Sequence, residues 1–135
     1  AADGAAEFCL TLDIIPDFII SDLDGDLKSL YSAEKEGAII LVHGHGDNIQ
    51  KIKSQSSDFR RIIGTTQTFP LYNVHNFGGF TDGDRCVFLA EEFGAQQIIL
   101  LGMEFGPQVG KYSKNTDKNI ELRIKNVWML SVCPQ

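Results

Sequence analysis

The sequence predicts an α/β domain of the three-layer, Rossmann-like kind, with a mainly parallel sheet between helices. Three observations carry this. Short, continuous apolar runs rich in Ile, Val and Leu recur along the chain, as strands buried on both faces require. Segments with helical apolar spacing and good end signals lie between them. Turns rich in glycine and aspartate follow several of the runs, and loops at the carboxyl ends of strands form the ligand crevice of an open parallel sheet.

The opening Ala1-Ala2-Asp3-Gly4 reads as the end of a strand whose beginning is missing, so residues 1–135 are expected to form one domain truncated at its amino-terminal end. Ala5 to Leu12 carries Phe8, Leu10 and Leu12 and is expected to be a helix. Phe18-Ile19-Ile20 is the first strand, and Leu27 to Glu36 is a helix that stops at Gly37. Ala38 to Val42 is the second strand, followed by a helix from Asp47, a capping residue type, to Ser54. Arg61-Ile62-Ile63 and Leu71 to Val74 read as the third and fourth strands. A helix from Asp84 to Phe93, ending at Gly94, presents Val87, Phe88, Leu89 and Phe93 to a sheet. Gln97 to Leu101 reads as a fifth strand, Gly106 to Asn119 as a mobile loop, and about Asp117 to Leu130 as a last helix.

With 135 residues, 43% of them hydrophobic, the chain is long enough for a proper core. A formal net charge of −6 argues against nucleic-acid and anionic-membrane partners, whose phosphates call for a basic patch. It leaves a nucleotide open, because a bound cation supplies positive charge locally. The three cysteines, Cys9, Cys86 and Cys133, form no C-x-x-C pair and support neither a zinc knuckle nor a disulfide framework. No apolar stretch approaches the ~20 residues that span a bilayer. No basic-then-apolar leader is present either, so the expected compartment is a reducing cytoplasm.

The acidic turns carry the chemistry. Asp22-Leu23-Asp24-Gly25-Asp26 places carboxylates at alternate positions just past a strand, where an extended chain would aim them to one side and two could share Mg²⁺. Read structurally, the same residues make an ordinary acidic turn. Val42-His43-Gly44-His45-Gly46-Asp47-Asn48 follows the second strand and offers His45, Asp47 and Asn48 to a ligand; two histidines without a third soft ligand speak against zinc. Gly64-Thr65-Thr66-Gln67 reads as a small polar loop suited to a phosphate or a ring edge.

Gly78-Gly79-Phe80-Thr81-Asp82-Gly83-Asp84-Arg85 is the strongest element: a tight glycine turn, a helix start that favours phosphate, Asp82 and Asp84 for Mg²⁺, and Arg85 for phosphate oxygens. Its structural reading is a Thr81 or Asp82 cap after a turn. Gly102-Met103-Glu104-Phe105-Gly106 would close the pocket, with Lys111 reaching in.

Taken in order, Ala2-Asp3-Gly4-Ala5, Pro16-Asp17 to Asp26, His43 to Asn48, Gly64 to Gln67, Gly78 to Arg85 and Gly102 to Gly106 resemble the archaeal-type 6-hydroxymethyl-7,8-dihydropterin pyrophosphokinases, in the superfamily that includes thiamin pyrophosphokinase. The resemblance covers nearly the whole chain, and Gly79 to Arg85 is its distinctive motif. It implies a thiamin-pyrophosphokinase-like catalytic domain that transfers diphosphate from ATP to the pterin hydroxymethyl group with Mg²⁺ as cofactor and AMP as by-product. It further implies Asp22, Asp24, Asp82 and Asp84 as metal ligands and Arg85 as a phosphate contact. Asp3, Gly4, His45, Gly46, Asp47, Asn48, Gln67 and the glycine turn with Phe80 and Thr81 would line the nucleotide or pterin pocket. The chain departs from the pattern at Glu104, one methylene longer than the Asp more usual there.

Two other readings stand beside it. Ser21 to Asp26 is similar to the first motif of the haloacid-dehalogenase phosphatases, with Asp22 as nucleophile, although Asp26 stands where that motif has Thr. Related domains also occur in flagellin-modifying accessory proteins, which would make this a nucleotide-binding module without turnover. The acceptor is not legible: Tyr72, Phe77, Phe80 and Phe105 could stack on a ring or simply form core. A homodimer is the commonest symmetric outcome for such a domain.

Overall fold

A computed structural model describes residues 1–103 of the chain. The chain divides into two units, Ala1–Ile98 and Ile99–Gln135, and every element below lies in the first. The order is α1 (Ala5–Thr11), β1 (Phe18–Ser21), α2 (Leu27–Glu36), β2 (Ile39–Gly44), α3 (Ile49–Gln55), a 3-10 turn (Ser56–Asp58), β3 (Ile62–Thr66), β4 (Val74–His75) and α4 (Asp82–Glu92). The four strands form one sheet in the order β1-β2-β3-β4, and every neighbouring pair is parallel. Outside the ladder, Ala2 bridges Ile20 on the edge of β1 away from β2, where Asp3 N–H donates to the Ile20 carbonyl at 2.8 Å.

Alternation along each strand feeds two cores, which is why the runs are continuously apolar. Ile19, Ile40 and Val42 pack with Ala6, Leu23, Leu30, Ala33, Ala38 and Phe59 on the face covered by α1 and α2. Ile20 and Leu41 pack with Leu89 of α4 on the other face, with Phe18, Ile39, Ile63, Phe77 and Cys86 around them. Helix ends follow the expected chemistry: α2 stops at Gly37, at φ +125°, and Gly94, at φ +75°, follows α4.

Several expectations are corrected. Leu71 to Val74 is largely a turn rather than a strand: Val74 N–H donates to the Leu71 carbonyl at 2.9 Å and Asn73 takes φ +66°, so β4 is only Val74–His75. Gln97 to Leu101 forms no strand, because its backbone has no ladder partner among the described residues. Helix α3 begins at Ile49 rather than Asp47, and α4 at Asp82 rather than Asp84. Gly64 and Thr65 belong to β3 rather than to a loop. Phe105, Gly106 to Asn119, Lys111, the last expected helix and Cys133 lie outside the described residues. Among the described residues no helix is long and apolar enough to cross a membrane.

Candidate functional site

Because all strands are parallel, the loops after β1, β2, β3 and β4 emerge at one end of the sheet, and the amino end of α4 follows the last of them. There the carboxylates of Asp3, Asp22 and Asp82 converge, with ligand oxygens all within 4.8 Å of one another. Each comes from a different segment: the turn before α1, the loop after β1, and the first residue of α4. All three side chains are half-buried. Like charges this close repel, and a hard divalent cation makes such an all-oxygen set favourable. The donor chemistry fits Mg²⁺.

Local backbone explains which acids join. Leu23, buried to 2% exposure, takes φ +64°, and this left-handed residue breaks the alternation expected of an extended loop. Asp22 joins the cluster, whereas Asp24 lies exposed outside it, its N–H donating to Asp22 Oδ1 at 3.2 Å. Asp26 caps α2, accepting from Lys28 N–H, Ser29 N–H and the Ser29 hydroxyl; the hydroxyl bond above all holds its carboxyl below the usual range.

Asp84 lies outside this cluster. Its carboxylate accepts from Phe80 N–H, Thr81 N–H and the Thr81 hydroxyl, while the Thr81 hydroxyl oxygen accepts from Asp84 N–H. This is a capping box, and it commits Asp84 to holding the start of α4 while Asp82, two residues earlier, faces the cluster. Asp3, rather than Asp84, is the third carboxylate of the cluster.

Arg85 is 3% exposed. One amino group, Nη1, donates to the Gly78 carbonyl at 3.2 Å, while Nε and Nη2 are buried with no hydrogen-bond partner among the described residues. These two nitrogens form one edge of the guanidinium fork, the edge that grips two oxygens of a phosphate or carboxylate. Burial works against the guanidinium charge, and Asp84 and Asp82 act in the opposite sense. Gly79, at φ +81°, is what lets the turn lie on this helix: a Cβ there would stand 2.8 Å from Arg85 Cγ and 2.9 Å from its Cα. Gly78, at φ +92°, sits against the Phe88 ring in the same way.

The loop after β2 is stapled rather than open. Asn48, 5% exposed, donates from Nδ2 to the carbonyls of His43, at 2.6 Å, and Asp22, at 3.1 Å, and accepts from His45 N–H. It thereby joins the β1 and β2 loops. His45 lies with Nε2 3.6 Å from Asp22 Oδ2, and Gly46 and Asp47 are exposed at the rim.

His43 enters the sequence reading only within the His43 to Asn48 motif and as one of the two histidines set aside for zinc. It is 3% exposed, with Nδ1 3.3 Å from Thr65 Oγ1. Thr65 gives its own proton to the Val42 carbonyl, so we assign the ring proton to Nδ1 and a lone pair to Nε2. Burial, then Arg85 and His45, lower the His43 pKa to about 4.

Thr65 therefore turns into the sheet. Thr66 ends β3 and bonds Thr68, and Gln67 is exposed just beyond it. Gly4 is the cap position of α1, and Phe80 is 56% exposed beside the turn. Gly102 lies in the second unit at φ +70°, and Glu104 is outside the described residues. A cleft of about 570 Å³ lined by Tyr31, Glu34, Lys35, Asp58, Arg60 and Arg61 opens at the amino end of β3, away from this chemistry.

Comparison with known proteins follows the same lines. Residues 1–110 match the family described as 6-hydroxymethylpterin diphosphokinase MptE-like. A protein of Methanocaldococcus jannaschii named 6-hydroxymethyl-7,8-dihydropterin pyrophosphokinase is 48% identical over 136 residues, covering 93% of this chain and 56% of its own. Proteins of the same name from Methanothermobacter thermautotrophicus and Pyrococcus furiosus are 47% and 50% identical over 114 residues, each covering 84% of this chain and 49% and 48% of their own. The chain thus spans about half the length of the curated relatives it matches. It belongs to the MptE-like 6-hydroxymethylpterin diphosphokinase family.

Proposed function

We propose that this chain carries the site of a Mg²⁺-dependent pyrophosphokinase. It transfers diphosphate from ATP to the hydroxymethyl group of 6-hydroxymethyl-7,8-dihydropterin and releases AMP. The observation that carries the reading is the meeting of Asp3, Asp22 and Asp82 at the carboxyl end of the sheet, close in sequence to a buried Arg85 whose Nε and Nη2 have no hydrogen-bond partner among the described residues. The names of the three relatives supply the acceptor, and family membership favours this reading over the phosphatase and the binding module.

Diphosphate transfer calls for alignment and charge neutralisation more than for a covalent nucleophile. Asp3, Asp22 and Asp82 would hold Mg²⁺, which when bound offsets charge on the ATP phosphates. Arg85 would grip phosphate oxygens with its open edge, already desolvated and fixed through Nη1 on Gly78. The capping box of Thr81 and Asp84 fixes the helix end that carries both Asp82 and Arg85. Asn48 ties the loop bearing Asp22 to the loop bearing His45. The cytoplasm is the proposed compartment, in keeping with the free thiols of Cys9 and Cys86.

The test is AMP release from ATP and Mg²⁺ with and without the pterin, comparing the native protein with Asp82→Ala. AMP that depends on the pterin and disappears in the variant supports the reading. AMP release unaffected by the substitution removes Asp82 from the machinery, and none from the native protein refutes the activity.

A further inference from the structure

We propose that Ser21 is a positioning residue: its hydroxyl holds the Asp3 carboxylate in the acidic cluster and so sets the cation affinity of the site. The inference rests on the cation reading above and concerns a residue that touches neither cation nor substrate, since Ser21 is 0% exposed at the end of β1.

The geometry assigns the direction of both its bonds. Leu23 N–H can only donate, and it does so to Ser21 Oγ at 3.0 Å. The single hydroxyl proton then points to Asp3 Oδ1, 2.7 Å away. That contact uses one of about four lone-pair sites on the carboxylate, which leaves oxygen free for a cation. The other side of Asp3 is bounded by Gly25, whose missing Cβ would lie 2.7 Å from Oδ1 and 2.8 Å from Oδ2. Asp3 is thus held by a bond on one side and a glycine gap on the other.

Ser21 also braces the left-handed Leu23, and through it the turn that sets Asp22. One hydroxyl therefore links two of the three carboxylates. Partners one bond removed from a metal ligand typically change affinity 10–100-fold when lost.

A double-mutant cycle separates positioning from simple bracing of the turn. Mn²⁺ binding is titrated by electron paramagnetic resonance on the native chain, Ser21→Ala, Asp3→Asn and the double variant, with thermal melts alongside. The expected result is a loss of about tenfold or more for Ser21→Ala, most of which disappears on the Asp3→Asn background, where only the bracing of the Asp22 turn is left to lose. Ser21→Cys, which is somewhat larger but keeps a weak donor, is expected to lose less in the same direction. Native-like Mn²⁺ binding in Ser21→Ala, or a Ser21→Ala loss that repeats in full on the Asp3→Asn background, overturns the proposal. A native chain that binds no Mn²⁺ overturns the cation site with it, whereas pterin-dependent AMP release is decided by its own assay.

Discussion

Gly25→Ala is the cleanest perturbation of the candidate site, because its structural and functional costs separate. Gly25 is exposed and is not among the residues at positive φ, so an alanine meets no backbone strain. The added Cβ would stand 2.7 Å from Asp3 Oδ1, 2.8 Å from Oδ2 and 3.0 Å from Cγ, where ordinary contact begins at 3.4 Å. The atoms in the way are the end of a single side chain, so Asp3 can turn aside while the fold stays put. It must retreat by several tenths of an ångström, which Mg²⁺, bound at about 2.0–2.1 Å in near-ideal octahedral geometry, does not tolerate in a ligand. Stability should change by less than about 1 kcal/mol, since removing a glycine also restricts the unfolded chain. Cation affinity should fall by about 10–100-fold, or roughly 1.4–2.7 kcal/mol. Mn²⁺ titration paired with a thermal melt reads both. Native-like Mn²⁺ affinity in a folded variant would refute the placement of Asp3 in the cation set. Loss of affinity with a collapse of the melt would refute the claim that only the side chain moves.

Two further predictions follow the same logic. Asp84→Ala removes one half of the capping box and three acceptor contacts, and should lower stability by about 1–2 kcal/mol. Its Mn²⁺ affinity should stay within a few-fold of native, in contrast to Asp82→Ala; equal losses in the two would return Asp84 to the metal set. His43 is neutral in the folded chain until about pH 4, whereas an unfolded chain protonates it near 6.5. Between those values the unfolded state binds more protons, so this contribution is complete above pH 6.5 and declines as pH falls toward 4, by up to roughly 3 kcal/mol. Denaturant melts in EDTA should show that slope in the native chain and lose it in His43→Gln; the same slope in both would show that His43 is not its source.

The fold was largely legible because burial on both faces leaves a plain mark: Ile19-Ile20 and Ile40-Leu41-Val42 each feed two cores, and no polar position interrupts them. Helix ends at Gly37 and Gly94 were equally readable. Apolarity alone failed twice. In Leu71 to Val74 the turn chemistry of Asn73 outweighed the run, and Gln97 to Leu101 has the composition of a strand without a ladder partner among the described residues.

In the candidate site the acidic turns were legible, but which of their carboxylates meet was not. Alternation put Asp22 and Asp24 on one side, and a single left-handed residue, Leu23, undid it. Asp3 was placed in the ligand pocket, but its partnership with Asp22 and Asp82 depends on the edge of β1, which no spacing reveals. The Thr81-Asp82-Gly83-Asp84 order did carry a usable signal, since Thr followed three residues later by an acid is the pattern of a capping box. His43 and Ser21 gave none: a histidine and a serine at the ends of apolar runs show their roles only through the neighbours that bury them.

The measurement that bears most directly on the central claim is phosphorus NMR of a reaction holding the protein, ATP, Mg²⁺ and 6-hydroxymethyl-7,8-dihydropterin. A pyrophosphorylated alcohol appearing as a coupled pair of resonances, in step with an AMP singlet and only when the pterin is present, is the predicted result. ADP or inorganic phosphate as the product, or ATP left intact beside the pterin, would contradict the account.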